Sequence, residues 1–136
     1  MLEMRLVVDA NILFAALLRK GVTSALLIRE DLELFAPALF WEEFTKYEMM
    51  ILARTHRDRE EFAQIVEIFR ERIAIVAGDP EEVERMVPLS PDPGDASYLV
   101  LALRLGIPLW TADKQLRNQV LVEIYSTTEV LRRISR

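Results

Sequence analysis

Residues 4–19 read MRLVVDANILFAALLR, and this stretch decides the fold. Residues 4–8 form a short apolar run with the character of a buried strand. Asp9 ends it, apolar residues then recur with helical spacing over 11–19, and Gly21 supplies a stop. A buried strand that passes into a helix across one acidic residue is the opening of an α/β unit.

The rest of the chain repeats the alternation. Strands are expected at 32–36, 73–77, 108–111 and 121–125. Helices are expected over 37–54, 58–72, 81–86, 93–105, 114–119 and 127–134, and a further one after Thr23 or Ser24, either of which can cap it. Strands alternating with helices imply a three-layer α/β sandwich with a mainly parallel sheet of about five strands flanked by helices. There is no repeat, low-complexity segment or linker. The Pro-rich PLSPDPGD at 88–95 is short and is followed by strong strand and helix patterns, so residues 1–136 read as one domain. A chain of this size buries roughly two-thirds of its unfolded surface.

Composition excludes several classes. The 51% hydrophobic content supports a core, and the absence of Cys rules out disulfides, zinc–thiolate sites and thiol nucleophiles. The apolar run at 6–18 contains Asp9 and Asn11 and is too short to span a bilayer. No basic region followed by a small-residue cleavage site opens the chain, so a soluble, cytoplasmic protein without membrane attachment is expected. The net charge of −5 alone points away from nucleic acid, unless the acids gather at a site that a cation neutralises.

The acids do fall where such a site would be. In parallel sheets, ligands bind at the carboxyl ends of the strands. Asp9 follows the first strand, Glu43 lies in the first two turns of the helix after the second, Asp92 and Asp95 open the helix beyond the third, and Asp113 follows the fourth. Acids brought to one edge repel one another unless a cation sits between them. Hard oxygen donors select Mg²⁺ or Mn²⁺, the ions of phosphodiester hydrolysis. Each acid also has a structural reading. Asp9 can cap the helix after it, Glu43 can pair with Lys46 three residues on, and Asp113 can cap the turn at 114–119. Asp92 as N-cap with Pro93 and Asp95 behind it makes a near-capping box. The capping and site roles are compatible for Asp95, with Asp92 outside it.

Glu43 is distinguished from its neighbours by helical phase. Phe40, Phe44, Tyr47 and Ile51 form one apolar stripe, Glu42 points away from it, and Glu43 and Glu48 flank it. Glu43 is the nearer of those two to the helix start and hence to the sheet edge.

Four segments together resemble the PIN-domain family: LVVDANILFAALL, PALFWEEFTKY, DPGDASYLVLAL and LWTADKQL, in the family's order. The resemblance implies Mg²⁺- or Mn²⁺-dependent cleavage of single-stranded RNA by Asp9, Glu43, Asp95 and Asp113. Asp9, Asp95 and Asp113 would hold the metal, supported by Asn11, Asp92 and Thr111, with Lys114 facing substrate. It also implies frequent homodimers and, for the many relatives that are toxins of toxin–antitoxin pairs, an antitoxin partner. Two positions depart from the pattern: Gly94 and Gln115 stand where family members often carry acids, which bears on a second metal.

Other chemistries have less behind them. His56 has no second histidine to work with, and no serine sits in a G-x-S-x-G setting. Phosphate-binding glycine loops are absent. A haloacid-dehalogenase-like phosphatase would need a second Asp where Asn11 stands, and a non-catalytic module of the same fold would not need all four acids. Arg19, Lys20, Arg54, Arg57, Arg59, Lys114 and Arg117 are the cations available to phosphate. Trp41 and Trp110 sit among apolar neighbours and read as core or interface anchors.

Overall fold

The structure is a computed structural model that describes residues 2–134. Five parallel strands, β1 (Met4–Val8), β2 (Leu32–Ala36), β3 (Ile73–Ile75), β4 (Leu109–Trp110) and β5 (Ile124–Tyr125), form one sheet in the order β3-β2-β1-β4-β5. Seven helices flank it: α1 (Ala10–Leu18), α2 (Val22–Leu27), α3 (Leu39–Arg54), α4 (Arg59–Arg72), α5 (Pro80–Met86), α6 (Ala96–Leu105) and α7 (Thr127–Ile134). The expected α/β sandwich is therefore present.

The chain builds outward from β1 in two directions. It adds β2 and β3 on one side, then returns past β1 to add β4 and β5 on the other. Right-handed crossovers put the helices of the first half and the pair α5–α6 on opposite faces. β1 is covered on both, which is why Leu6, Val7 and Val8 are fully buried and the strand reads as unbroken apolar sequence. On one face α1 packs on α3, whose Phe44 stacks on Phe62 of α4. The other face is closed by α6, which buries Tyr98 through Ala102.

Several boundaries differ from expectation for local reasons. Gly21, not Thr23 or Ser24, is the N-cap of α2, and the Ser24 hydroxyl turns back to bond the Gly21 backbone. Residues 93–95 form a separate 3-10 turn before α6, because the Asp92 carboxylate caps Gly94 N–H and holds that turn apart. The outer strands β3, β4 and β5 are two or three residues long, shorter than their apolar runs. Tyr47 leaves the apolar stripe of α3. It is 38% exposed and meets Phe14 of α1 edge-on.

Candidate active site

The strand order reverses direction between β1 and β4, and in such sheets ligands bind in the crevice at that switch point, outside the carboxyl ends of the strands. Register decides what meets there. Val8 lies opposite Trp110, so the next residue on each strand, Asp9 and Thr111, are neighbours, and Asp9 N–H donates to the Trp110 carbonyl at 2.9 Å.

Thr111 organises the crevice. Its hydroxyl donates to Asp9 Oδ2 at 2.8 Å and accepts from Asp113 N–H at 3.0 Å and Asn11 Nδ2 at 3.2 Å. A hydroxyl has one proton and two lone pairs, so its capacity is full. Asn11 closes the ring by accepting Ala112 N–H at 3.3 Å. Asp9 also caps α1 through a long bond of 3.4 Å from Asn11 N–H, so capping and the Thr111 bond coexist. Asp113 caps the 3-10 turn at 114–118 by accepting Gln115 N–H at 2.9 Å. Replacing Thr111 by Val keeps the shape and strands these partners. Urea unfolding of Thr111→Val is expected to lose about 1–3 kcal/mol, the cost of leaving buried groups without a bond. An unchanged midpoint would mean that Asp9 is held by something else.

Glu43 is not the exposed partner of Lys46 that helical spacing allows. The buried Tyr98 hydroxyl donates to Glu43 Oε1 at 2.6 Å, and the Lys46 ammonium lies over the Tyr47 ring at 5.5 Å. Burial, then the bond to Glu43 and the nearby Asp9 charge, push the Tyr98 hydroxyl far above its usual range, so it remains a neutral donor. Sequence reading passes over Tyr98. The one signal for it is its place one helical turn after Asp95, on the same side of α6.

The four principal acids sense one another. Burial raises Asp9 to about 6; the Thr111 and Asn11 bonds oppose this, and the charges of Glu43 and Asp113 add to it. Asp95 is also raised to about 6, by burial first and then by the charges of Asp113, Asp9 and Asp92. Asp95 Oδ2 is buried with no hydrogen-bond partner. Among the described residues, no three acidic side chains stand as a ready-made ion-binding group.

A divalent cation nevertheless fits these residues. The charges acting on Asp9 and Asp95 are, among the described residues, those of other carboxylates, and Asp95 Oδ2 is orphaned. Mg²⁺ usually retains several waters and needs only one or two direct carboxylates. Lys114 is exposed beside Asp113 and, among the described residues, sits in no ion pair. Asp92 lies outside the cluster as a cap. His56 is exposed in the left-handed region at φ 57, in the turn between α3 and α4. Trp110 is fully buried with its indole N–H on Thr127, and the Arg70 guanidinium covers Trp41 at 4.0 Å.

Residues 7–133 match the family model of the PIN domain. Among solved structures, PAE2754 from Pyrobaculum aerophilum aligns over 98% of both chains with a TM-score of 0.72 and 22% identity. VapBC2 from Rickettsia felis, solved bound to a DNA fragment from their promoter, aligns over 90% of this chain and 98% of that one, with a TM-score of 0.65 and 12% identity. FitAB, solved bound to an IR36 DNA fragment, aligns over 90% and 94%, with a TM-score of 0.59 and 14% identity. At these identities the structural likeness speaks for the fold. No curated protein matches the chain.

Proposed function

The chain belongs to the PIN-domain family, whose members are generally nucleases, and from that premise we propose that it is a Mg²⁺- or Mn²⁺-dependent endoribonuclease that hydrolyses phosphodiester bonds in single-stranded RNA. The observation that supports the reading is that Asp9 feels the charges of Glu43 and Asp113 and Asp95 feels those of Asp113 and Asp9, with Thr111 bonding the Asp9 carboxylate and the Asp113 backbone. The family match replaces the haloacid-dehalogenase-like alternative. No helix among the described residues is long and apolar enough to cross a membrane.

Asp9, Asp95 and Asp113 would hold the cation, and Glu43 completes the oxygen set. When bound, such an ion lowers the pKa of a water and offsets charge on a phosphate. The chain supplies the positions. Thr111 fixes Asp9 and the Asp113 backbone, and Tyr98 fixes Glu43, so these carboxylates are aimed before substrate arrives. Lys114 is free to meet the phosphate. There is no thiol, and the lone His56 lies outside the crevice, so water is the proposed nucleophile, with no covalent intermediate.

Attack by water leaves a 5′-phosphate and a 3′-hydroxyl, whereas attack by the RNA 2′-hydroxyl leaves a cyclic phosphate. End-labelled RNA cut in Mn²⁺ and analysed by mass spectrometry is expected to carry 5′-phosphates, with cutting lost in EDTA. Cyclic ends, or full cleavage in EDTA, would sink the mechanism. Absence of both cutting and Mn²⁺ binding would leave a non-catalytic module. The fold shared with VapBC2 and FitAB supports a toxin role with an antitoxin partner. A small DNA-binding protein encoded beside this chain and co-purifying with it is the observation that tests this.

A further inference from the structure

Beside the acid crevice, a second cleft of about 520 Å³ runs along α1 to the start of α2. Asn11, Phe14 and Leu18 line it, with the exposed Arg19 and Lys20 at the end of the helix. Asn11 also bonds Thr111 and the Ala112 backbone, so one residue of the cleft lining belongs to the network that holds Asp9.

Two neighbouring cations line it. Among the described residues seven arginines sit in ion pairs with acids, whereas the exposed Arg19 and Lys20 sit in none. In a chain of net charge −5, two adjacent cations without a carboxylate partner are free for an external anion. The wall behind them is apolar and aromatic. Phe14 is braced edge-on by Tyr47 at 5.7 Å, and the Tyr47 ring carries the Lys46 ammonium. A volume near 500 Å³ is within the range of small-ligand pockets, on the order of 300–1,000 Å³. Paired cations beside an aromatic surface are what one nucleotide of a single strand requires: the base rests on the ring and the phosphate meets the charges.

We propose that this cleft is a nucleotide subsite that seats the unit of single-stranded RNA next to the bond being cut, with Arg19 and Lys20 on its phosphate and Phe14 against its base. The subsite rests on the nuclease reading for the identity of its ligand. It explains how a protein of acidic balance takes a polyanion: the strand enters over unpaired cations rather than across the carboxylates.

The test is binding of a fluorescein-labelled 12-nucleotide single-stranded RNA, read by anisotropy in Mg²⁺. The full chain carries Asp9→Asn throughout, so that the strand stays intact. Adding Arg19→Glu with Lys20→Glu is expected to weaken binding by at least about tenfold and to flatten the slope of log K against log salt by about 0.7, the value for one phosphate contact on a single strand. Phe14→Leu keeps the apolar packing and is expected to weaken binding about fivefold, the low end of base–aromatic stacking. Arg85→Glu with Arg104→Glu makes the same charge change on the α5–α6 face and is expected to leave binding within about twofold.

Three results would overturn the subsite: RNA binding unaltered by the Arg19 and Lys20 reversal, an equal loss in the α5–α6 control, or no RNA binding by the parent while an acidic peptide binds. Cutting by the unsubstituted protein in Mn²⁺ is read separately. Cutting with binding insensitive to the reversal removes the subsite and keeps the nuclease. Binding lost on reversal with no cutting removes the nuclease and keeps the subsite.

Discussion

Asp9→Asn is expected to lower RNA cleavage by on the order of 10³-fold, the upper end of what losing one preorganised electrostatic group costs, while making the metal-free protein more stable at pH 7.5. The two effects share a cause. Asp9 is 8% exposed, at the carboxyl end of the central strand, with Glu43 and Asp113 adding negative charge nearby. Burial and those charges raise it from an ordinary 3.8 to about 6. Holding it ionised above pH 6 therefore costs the folded state up to about 3 kcal/mol. Asparagine has one acceptor oxygen where aspartate has two, so it keeps the 2.8 Å bond from Thr111 and gives up the long 3.4 Å bond from Asn11 N–H, a small loss beside the charge removed. The stability gain should be about 2–3 kcal/mol at pH 7.5 and should disappear as pH falls below the unfolded value of 3.8, where the folded and the unfolded aspartate are both protonated. Denaturant midpoints at the two pH values, beside cleavage rates in Mn²⁺, measure both halves. Retained cleavage would move the active site away from this crevice. Lost cleavage without the gain would mean that Asp9 is not strained by its neighbours.

Much of this site is legible in the sequence, because helix and strand periodicities place residues along each element. The run Leu6–Val8 followed by Asp9 marks a buried strand delivering an acid, and Asp113 follows β4 in the same way, whereas Glu43 lies within α3 and Asp95 comes after α5. What the pattern lacks is register. That Asp9 and Thr111 are neighbours follows from the pairing of Val8 with Trp110, a contact across a hundred residues that no local signal encodes. The same holds for Tyr98. Its aromatic side chain on an apolar helix reads as core, and its bond to Glu43 depends on how α3 and α6 meet over the sheet edge. Strands β3, β4 and β5 fall short of their expected lengths because apolar sequence continues where parallel pairing stops: residues 121 and 122 lead into β5 outside it, and Glu123 joins only through its carbonyl, which accepts from Leu109 N–H at 2.9 Å. Gly21 takes the capping role from Thr23 and Ser24 because its φ of 156 is open to glycine and strained for other residues.

In the absence of divalent metal, stability is expected to peak on the acid side of neutrality and to fall as pH climbs from about 4 to about 6, with Mn²⁺ reversing the loss. The sign follows from Asp9 and Asp95, both raised to about 6 from 3.8. Between those values the folded state holds more protons than the unfolded chain, so unfolding releases protons and is favoured as pH rises. Stability from these two groups is complete below the unfolded value and gone above the folded one. Asp9 dominates because it is the more deeply buried; Asp95 is partly solvated and screened, so its share is smaller. Asp31 and Glu129 shift the other way, Asp31 lowered by its bond to Arg29 and Glu129 by the Ser126 backbone and then Arg117, so they erode stability only at the acid extreme. A cation among the carboxylates offsets their repulsion and binds the folded form alone. At a free concentration of about a hundred times Kd it adds about 2.7 kcal/mol, or on the order of 10 °C in Tm for a domain of this size. Thermal unfolding in EDTA and in Mn²⁺, at pH 5 and pH 7.5, reads the two dependences together. The Mn²⁺ shift should be large at pH 7.5 and small at pH 5, where proton and metal compete for Asp9 and Asp95. A metal-free Tm that rises from pH 4 to pH 6, or an Mn²⁺ shift of the same size in Asp9→Asn, would show that the carboxylates are not repelling one another across this crevice.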